Sequence, residues 1–184
     1  AHFGVPAVVA LNRFASDTAA EVDAVLEACR ELGVEAVEAD PWGGGGAGCL
    51  ALADRVADAL QGTHADYRPL YELDLGLADK IERVARDIYG ADGVEWTPQA
   101  TAQIADLEAI GLREVPVCIA KTQYSLSDDP KKLGRPSGFD LTVRQVTPSA
   151  GAGFVVARTG DVMAMPGLPA VPAALQMDVR DGEV

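Results

Sequence analysis

The residues best suited to chemistry sit in two short polar turns, each following an apolar run and each carrying one aromatic ring. Residues 5–11 lead into Asn12, Arg13, Phe14, Ala15, Ser16, Asp17 and Thr18. Residues 34–37 lead towards Ala39, Asp40, Pro41, Trp42 and the glycine run Gly43, Gly44, Gly45, Gly46. Aromatic residues make up only 5% of the chain, and core packing does not call for two of them in polar turns. In an open parallel sheet, loops leaving the carboxyl ends of neighbouring strands meet over one crevice, where ligands bind. Phe14 and Trp42 are therefore expected to face each other across a slot one flat ring thick, and the chemistry is stacking on a planar heterocycle. Each ring also has a plainer reading. Phe14 can be a staple packed back onto its own helix, and Trp42 a lid over the sheet edge.

The neighbours of the two rings divide in the same way. Asn12 and Asp17 loosely resemble the Asn-Lys-x-Asp base-reading loop of GTP-binding proteins, with longer spacing; alternatively they organise the turn and cap the helix after it. Gly43 and Gly44 open a run that either presents amides to an anion or serves as a hinge, and it lacks the Gly-Lys-Ser/Thr ending of a Walker A loop. Farther along, Lys121, Thr122, Gln123, Tyr124 and Ser125 leave another apolar strand with one cation and three hydroxyls, as a functional loop or as structural hydrogen bonding. Asp128 and Asp129 read as a turn and cap rather than an acid–base dyad. No residue is assigned a catalytic or metal-binding role. Cys29, Cys49 and Cys118 are scattered and odd in number, so neither a disulfide framework nor a zinc site is expected, and Cys29 and Cys118 read as small core residues. His2 and His64 read as isolated surface residues.

The elements that must position these turns follow from periodicity. Residues 7–11 form a short apolar run, as in a strand buried on both faces. Thr18 and Glu21 make a capping box, followed by Val22, Val25, Leu26, Cys29 and Leu32 at helical spacing and a stop at Gly33. A second strand over 34–37 and a helix over 49–60 complete a β-α-β-α unit, for which a parallel sheet is expected. Two strands are too few for a sheet that stands alone. Residues 62–75 read as a linker. A helix is expected over 77–89, ended by Gly90, and another from Thr97-Pro98 to a stop at Gly111. Residues 115–120 read as a buried strand, 139–146 as a half-exposed strand with period 2, 149–153 as a turn, and 154–157 as its antiparallel partner. Residues 159–172 read as an extended tail packed on the body. The expected class is α/β: a partial parallel βαβα unit, then a smaller α+β region with mixed or antiparallel strands, divided into 1–66 and 67–184.

Composition narrows the function. The chain has 184 residues, 48% apolar and 23% charged, as expected of a globular protein with a sizeable core. No apolar stretch approaches a membrane span and no signal pattern opens the chain, so a cytoplasmic location is expected. The formal charge of −13 argues against nucleic acid and acidic lipid as partners. The most cation-rich stretch is Lys131, Lys132, Leu133, Gly134 and Arg135.

Several strings read as wholes resemble one family. They are residues 4–14; Lys80-Ile81-Glu82 with residues 88–94; the strand 115–120 running into Lys121-Thr122-Gln123-Tyr124-Ser125; Gly134-Arg135-Pro136; and residues 159–163 with 165–169. In order and spacing, from Gly4 to Gly182, they resemble the C-terminal third of formate–tetrahydrofolate ligase, also called 10-formyltetrahydrofolate synthetase. The resemblance implies an incomplete sheet of the P-loop NTPase type and a reaction joining formate to N10 of tetrahydrofolate. It further implies that ATP with magnesium supplies the leaving group through formyl phosphate, that a monovalent cation stimulates, and that the full-length assembly is a homotetramer. Phe14 and Trp42 match the aromatic pair that grips the pterin. Tetrahydrofolate, formate and ATP are the implied small-molecule partners, with no cofactor held tightly by this chain. There are departures. The P-loop is absent, so the chain is expected to be a piece of a longer polypeptide and inactive alone. Ala15 stands where the family usually has proline, and the tryptophan loop is unusually glycine-rich. The alternative is a non-catalytic folate-binding or subunit-interface module.

Overall fold

Strand β1 (Val8–Asn12) and strand β2 (Glu35–Ala39) pair in parallel through helix α1 (Ala19–Glu31), as the apolar runs and the capping box predict. This is a computed structural model; it describes residues 2–62, 66–160, 170–172 and 175. The chain divides into two units, Ala1–Leu70 and Tyr71–Val184. His64 and most of the expected tail, including Met163 and Met165, lie outside the described residues.

In the first unit, the Thr18 hydroxyl accepts the Glu21 amide and the Glu21 carboxylate accepts the Thr18 amide, so α1 begins on the expected capping box. After β2 come a four-residue helical turn, α2 (Pro41–Gly44), a 3-10 turn at Ala47–Cys49 and helix α3 (Leu50–Gly62). Helix α1 packs on β2, and α3 packs on both strands. Among the described residues of this unit only Val22 and Ala39 are buried, while Leu32, Leu50, Val56 and Leu60, read as apolar helix positions, stand exposed. Two strands offer too narrow a surface to cover an entire apolar stripe on each helix. The second strand runs through Glu38 and Ala39, two residues beyond its predicted end, because Asn12 pairs with Ala39 and the ladder continues through the Arg13 amide to the Ala39 carbonyl at 3.0 Å.

The second unit is built on a four-stranded mixed sheet in the order β3 (Gly93–Trp96), β5 (Asp140–Ser149), β6 (Phe154–Thr159), β4 (Val117–Ala120). The β5–β6 pair is antiparallel, as period 2 and the intervening turn predict; β3–β5 and β4–β6 are parallel. Helix α4 (Leu77–Arg83) and helix α5 (Pro98–Ala109) cover the sheet, with Leu77, Ile81, Ala100, Leu107, Val143, Val146, Val155 and Ala157 forming the core. Thr97 caps α5 through the Ala100 amide, and its hydroxyl donates to the Arg144 carbonyl at 2.8 Å, where β5 bulges.

Three readings are corrected here. The helix expected over 77–89 is α-helical only to Arg83 and continues as a π-helical segment, Val84–Tyr89, before Gly90 at φ 80°; six residues of apolar pattern do not separate a 3.6-residue turn from a wider one. Strand β3 was not anticipated, since four residues with one charge carry little period. Cys118, read as a core residue, is exposed. It lies on β4, where Val117 and Ile119 face the core and the residue between them points the other way.

Candidate functional site

The β1–β2 register determines what stands at the carboxyl edge of the first unit. Asn12 is opposite Ala39. Phe14 follows two residues after one, Trp42 three residues after the other, so both rings leave the same rim. A cleft of about 960 Å³ opens there, lined by Asn12, Phe14, Asp40, Trp42 and Gly43 among others. That size suits a small organic ligand, for which pockets of about 300–1,000 Å³ are usual.

Neither ring packs as the plainer readings required. Phe14 is 66% exposed and Trp42 96% exposed, so the first is no buried staple and the second no lid. Both bare rings line the same cleft. The turn around Phe14 is closed by Asp17: the Phe14 amide donates to Asp17 Oδ2 at 2.8 Å and the Asp17 amide to the Phe14 carbonyl at 3.0 Å. Asp17 therefore organises its turn. The turn around Trp42 is closed by Asp40, whose Oδ1 accepts the Gly43 amide at 2.7 Å and whose carbonyl accepts the Gly44 amide at 3.0 Å. The first two amides of the glycine run are thus engaged within their own turn.

Sequence reasoning missed part of the lining. Arg13 and Glu38 both face the cleft and form an ion pair at 3.3 Å, each about half exposed. Asp40, Pro41 and Gly48 line it too. Glu38 was lost because the strand was ended one residue before it; a carboxylate directly after an apolar run was the available signal.

The loop after β4 belongs to the second unit. Lys121 Nζ donates to the Thr122 carbonyl at 3.0 Å and the Ser125 carbonyl at 2.5 Å, and lies 5.6 Å from the Tyr89 ring centroid. Thr122 is buried, and its hydroxyl accepts the Tyr124 amide at 3.4 Å. Ser125 and Ser127 are buried and joined hydroxyl to hydroxyl at 2.8 Å. Gln123 and Tyr124 point to solvent. Tyr89 has its pKa raised, first by burial and then by the nearby Cys118. Asp129 accepts the Lys131 amide two residues on, as a turn residue does, whereas Asp128 accepts the amide of Thr142 on β5, a long-range bond rather than a local cap.

Among the described residues no three His, Cys, Asp or Glu side chains gather as metal ligands, and no helix is long and apolar enough to cross a membrane. The Gly43 and Gly44 amides are occupied by the Asp40 carboxylate and carbonyl, so these two donors are not free to hold a phosphate.

Fold and cleft together define a mixed α/β protein with a ligand-sized cleft at the carboxyl edge of a parallel ladder. A model of the formate–tetrahydrofolate ligase family matches residues 1–184, and the chain belongs to that family. Its members are ATP-dependent ligases that use ATP and tetrahydrofolate as substrates.

Proposed function

We propose that this chain supplies the tetrahydrofolate-gripping part of a formate–tetrahydrofolate ligase. Phe14 and Trp42 sandwich the pterin ring and leave N10 free to attack formyl phosphate. The observation that carries this reading is the pair of bare rings on one cleft, delivered to the same rim by the Asn12–Ala39 register. Each aromatic contact adds about 1 kcal/mol beyond burial, roughly fivefold in affinity. Asn12 and Gly43 line the same cleft and bound the ring at its edge. In the Lys121–Tyr124 loop, Lys121 and Thr122 hold the backbone while Gln123 and Tyr124 face outward for a ligand.

Activation of formate by ATP, helped by magnesium and a monovalent cation, requires a phosphate-binding loop that this sequence does not contain, so the chain alone makes no formyl phosphate. The family resemblance extends the reading to a cytoplasmic homotetramer, and the charge of −13 argues against nucleic acid or membrane partners. Titration with tetrahydrofolate, followed by tryptophan emission for Phe14→Ala and by calorimetry for Trp42→Ala, tests the site. Each variant is expected to bind about fivefold or more weakly. Unchanged affinity in both removes the stacking site, and ligase turnover by the pure 184-residue chain removes the division of labour.

A further inference from the structure

We propose that Asp17 and Asp40 are a matched pair of positioning residues, whose carboxylates close the two turns that hold Phe14 and Trp42 at the separation of a bound ring. The inference rests on the reading above that a flat ring binds in this cleft, and it asks what sets the geometry of the slot.

A side chain that packs against nothing is directed only by its own backbone. Trp42 at 96% exposure is in that position and Phe14 at 66% is only partly covered, so the accuracy of the slot depends largely on the turns beneath them. In the first turn the hydrogen bonds are reciprocal, with the Phe14 amide donating to Asp17 Oδ2 at 2.8 Å and the Asp17 amide donating to the Phe14 carbonyl at 3.0 Å. In the second, Trp42 stands between Asp40 and Gly43, and the Gly43 amide donates to Asp40 Oδ1 at 2.7 Å. Each aspartate reaches an amide three residues away, backward in one turn and forward in the other.

Asp40 is tied down in its turn. Its amide donates to the Gly48 carbonyl at 3.1 Å, and its carbonyl accepts the Gly44 amide at 3.0 Å. The space around it excludes side chains: a Cβ on Gly43 would lie 2.5 Å from Asp40 Oδ2, and one on Gly48 would lie 2.1 Å from the Asp40 carbonyl oxygen. Helix α2 has four residues, far too few to hold itself by helical cooperativity. What fixes Trp42 is therefore the Asp40 hydrogen-bond set, strengthened by the charge on its acceptor. The part Asp40 plays is geometric. An asparagine oxygen in the same place accepts the same amide without the charge, which separates positioning from an electrostatic role towards the ligand.

The test uses the 184-residue chain labelled with ¹⁵N, with Asp17→Ala, Asp17→Asn, Asp40→Ala and Asp40→Asn. It reads tetrahydrofolate affinity together with the heteronuclear NOE of the Trp42 indole N–H. Each alanine variant is expected to bind about tenfold more weakly, the size of one lost charge-assisted hydrogen bond. The asparagine variants should recover most of that loss. The Trp42 indole NOE should fall in Asp40→Ala and hold in Asp40→Asn. Alanine variants that bind like the parent with an unchanged indole NOE would overturn the proposal, and so would asparagine variants as weak as alanine ones. If Phe14→Ala and Trp42→Ala bind normally, the stacking site itself is wrong, while the indole NOE still decides whether Asp40 holds Trp42. The asparagine variants keep the question answerable should an alanine variant not fold.

Discussion

Asn12 and Ala39 face each other as the last register pair of the parallel β1–β2 ladder. Everything at the cleft follows from that pairing, because it fixes how far beyond the sheet edge each turn begins. A slip of one residue would turn every side chain of one strand to the opposite face and shift one rim against the other.

Ala15 occupies the second position of the turn that Asp17 closes onto the Phe14 carbonyl. Proline is favoured there because its ring presets the backbone, and neither hydrogen bond that closes the turn uses the Ala15 amide. Ala15→Pro is expected to stabilise the first unit by about 0.4–1 kcal/mol. Thermal or urea unfolding checks this; a destabilised variant would show that the turn has a different backbone geometry.

Gly48 is set against the Asp40 carbonyl, where an added Cβ would lie 2.1 Å away. Gly48→Ala must push the two backbones apart. The expected result is a loss of roughly 1–3 kcal/mol in unfolding free energy, as for other overpacked sites. Gly46→Ala, where a Cβ meets nothing within 4 Å, is the control and should stay within about 0.5 kcal/mol.

Glu21 has its carboxyl held below the usual value of 4.5 by the Thr18 amide first and the Thr18 hydroxyl second. A carboxylate with a lowered folded pKa contributes stability that is present above 4.5 and lost as pH falls through the folded value. Glu21→Gln should therefore flatten the acid limb of the first unit's stability profile, lying below the parent at neutral pH and converging with it as pH falls through the folded pKa. Chemical denaturation from pH 7 to pH 3 reads the difference, and equal acid slopes would dismiss the capping box as a source of pH dependence.

Lys80 is fully buried, with Nζ donating to the Arg113 carbonyl at 2.6 Å and the Val115 carbonyl at 3.0 Å. Lys80→Met removes both donors and should cost the second unit about 2 kcal/mol or more. Burial first, and Arg113 second, push the Lys80 pKa below 10.5. The cost of keeping its charge inside is complete below the folded pKa and is relieved as pH climbs from there towards 10.5. Relative to Lys80→Met, the parent should gain stability across that alkaline window, and a parallel pair of profiles would contradict the assignment.

Much of the fold was legible because its signals were local. Thr18 with Glu21, Thr97 before Pro98, and Gly33, Gly90 and Gly111 beyond helix ends each act within one turn, so the residues announce the boundary themselves. The pairing of β5 with β6 was legible for the same reason, with period 2 and a small-residue turn between. Other features depend on partners distant in sequence. Strand β3 exists because β5 pairs with it in parallel, and Cys118 is exposed because of which face β4 turns to the core. The two rings were found by composition, as aromatics in polar turns. Arg13, Glu38 and Asp40 were overlooked as lining because their places depend on the ladder running to Ala39, past the last strongly apolar residue.

The bareness of Trp42 and Phe14 has a calorimetric consequence. On the proposed reading, two aromatic faces in contact with water would give up that hydration to a flat ring bound between them, and release of apolar hydration lowers the heat capacity. Ligand uptake by this chain would accordingly grow more exothermic on warming, and the slope of that trend would measure how much of the indole and phenyl surface the guest covers.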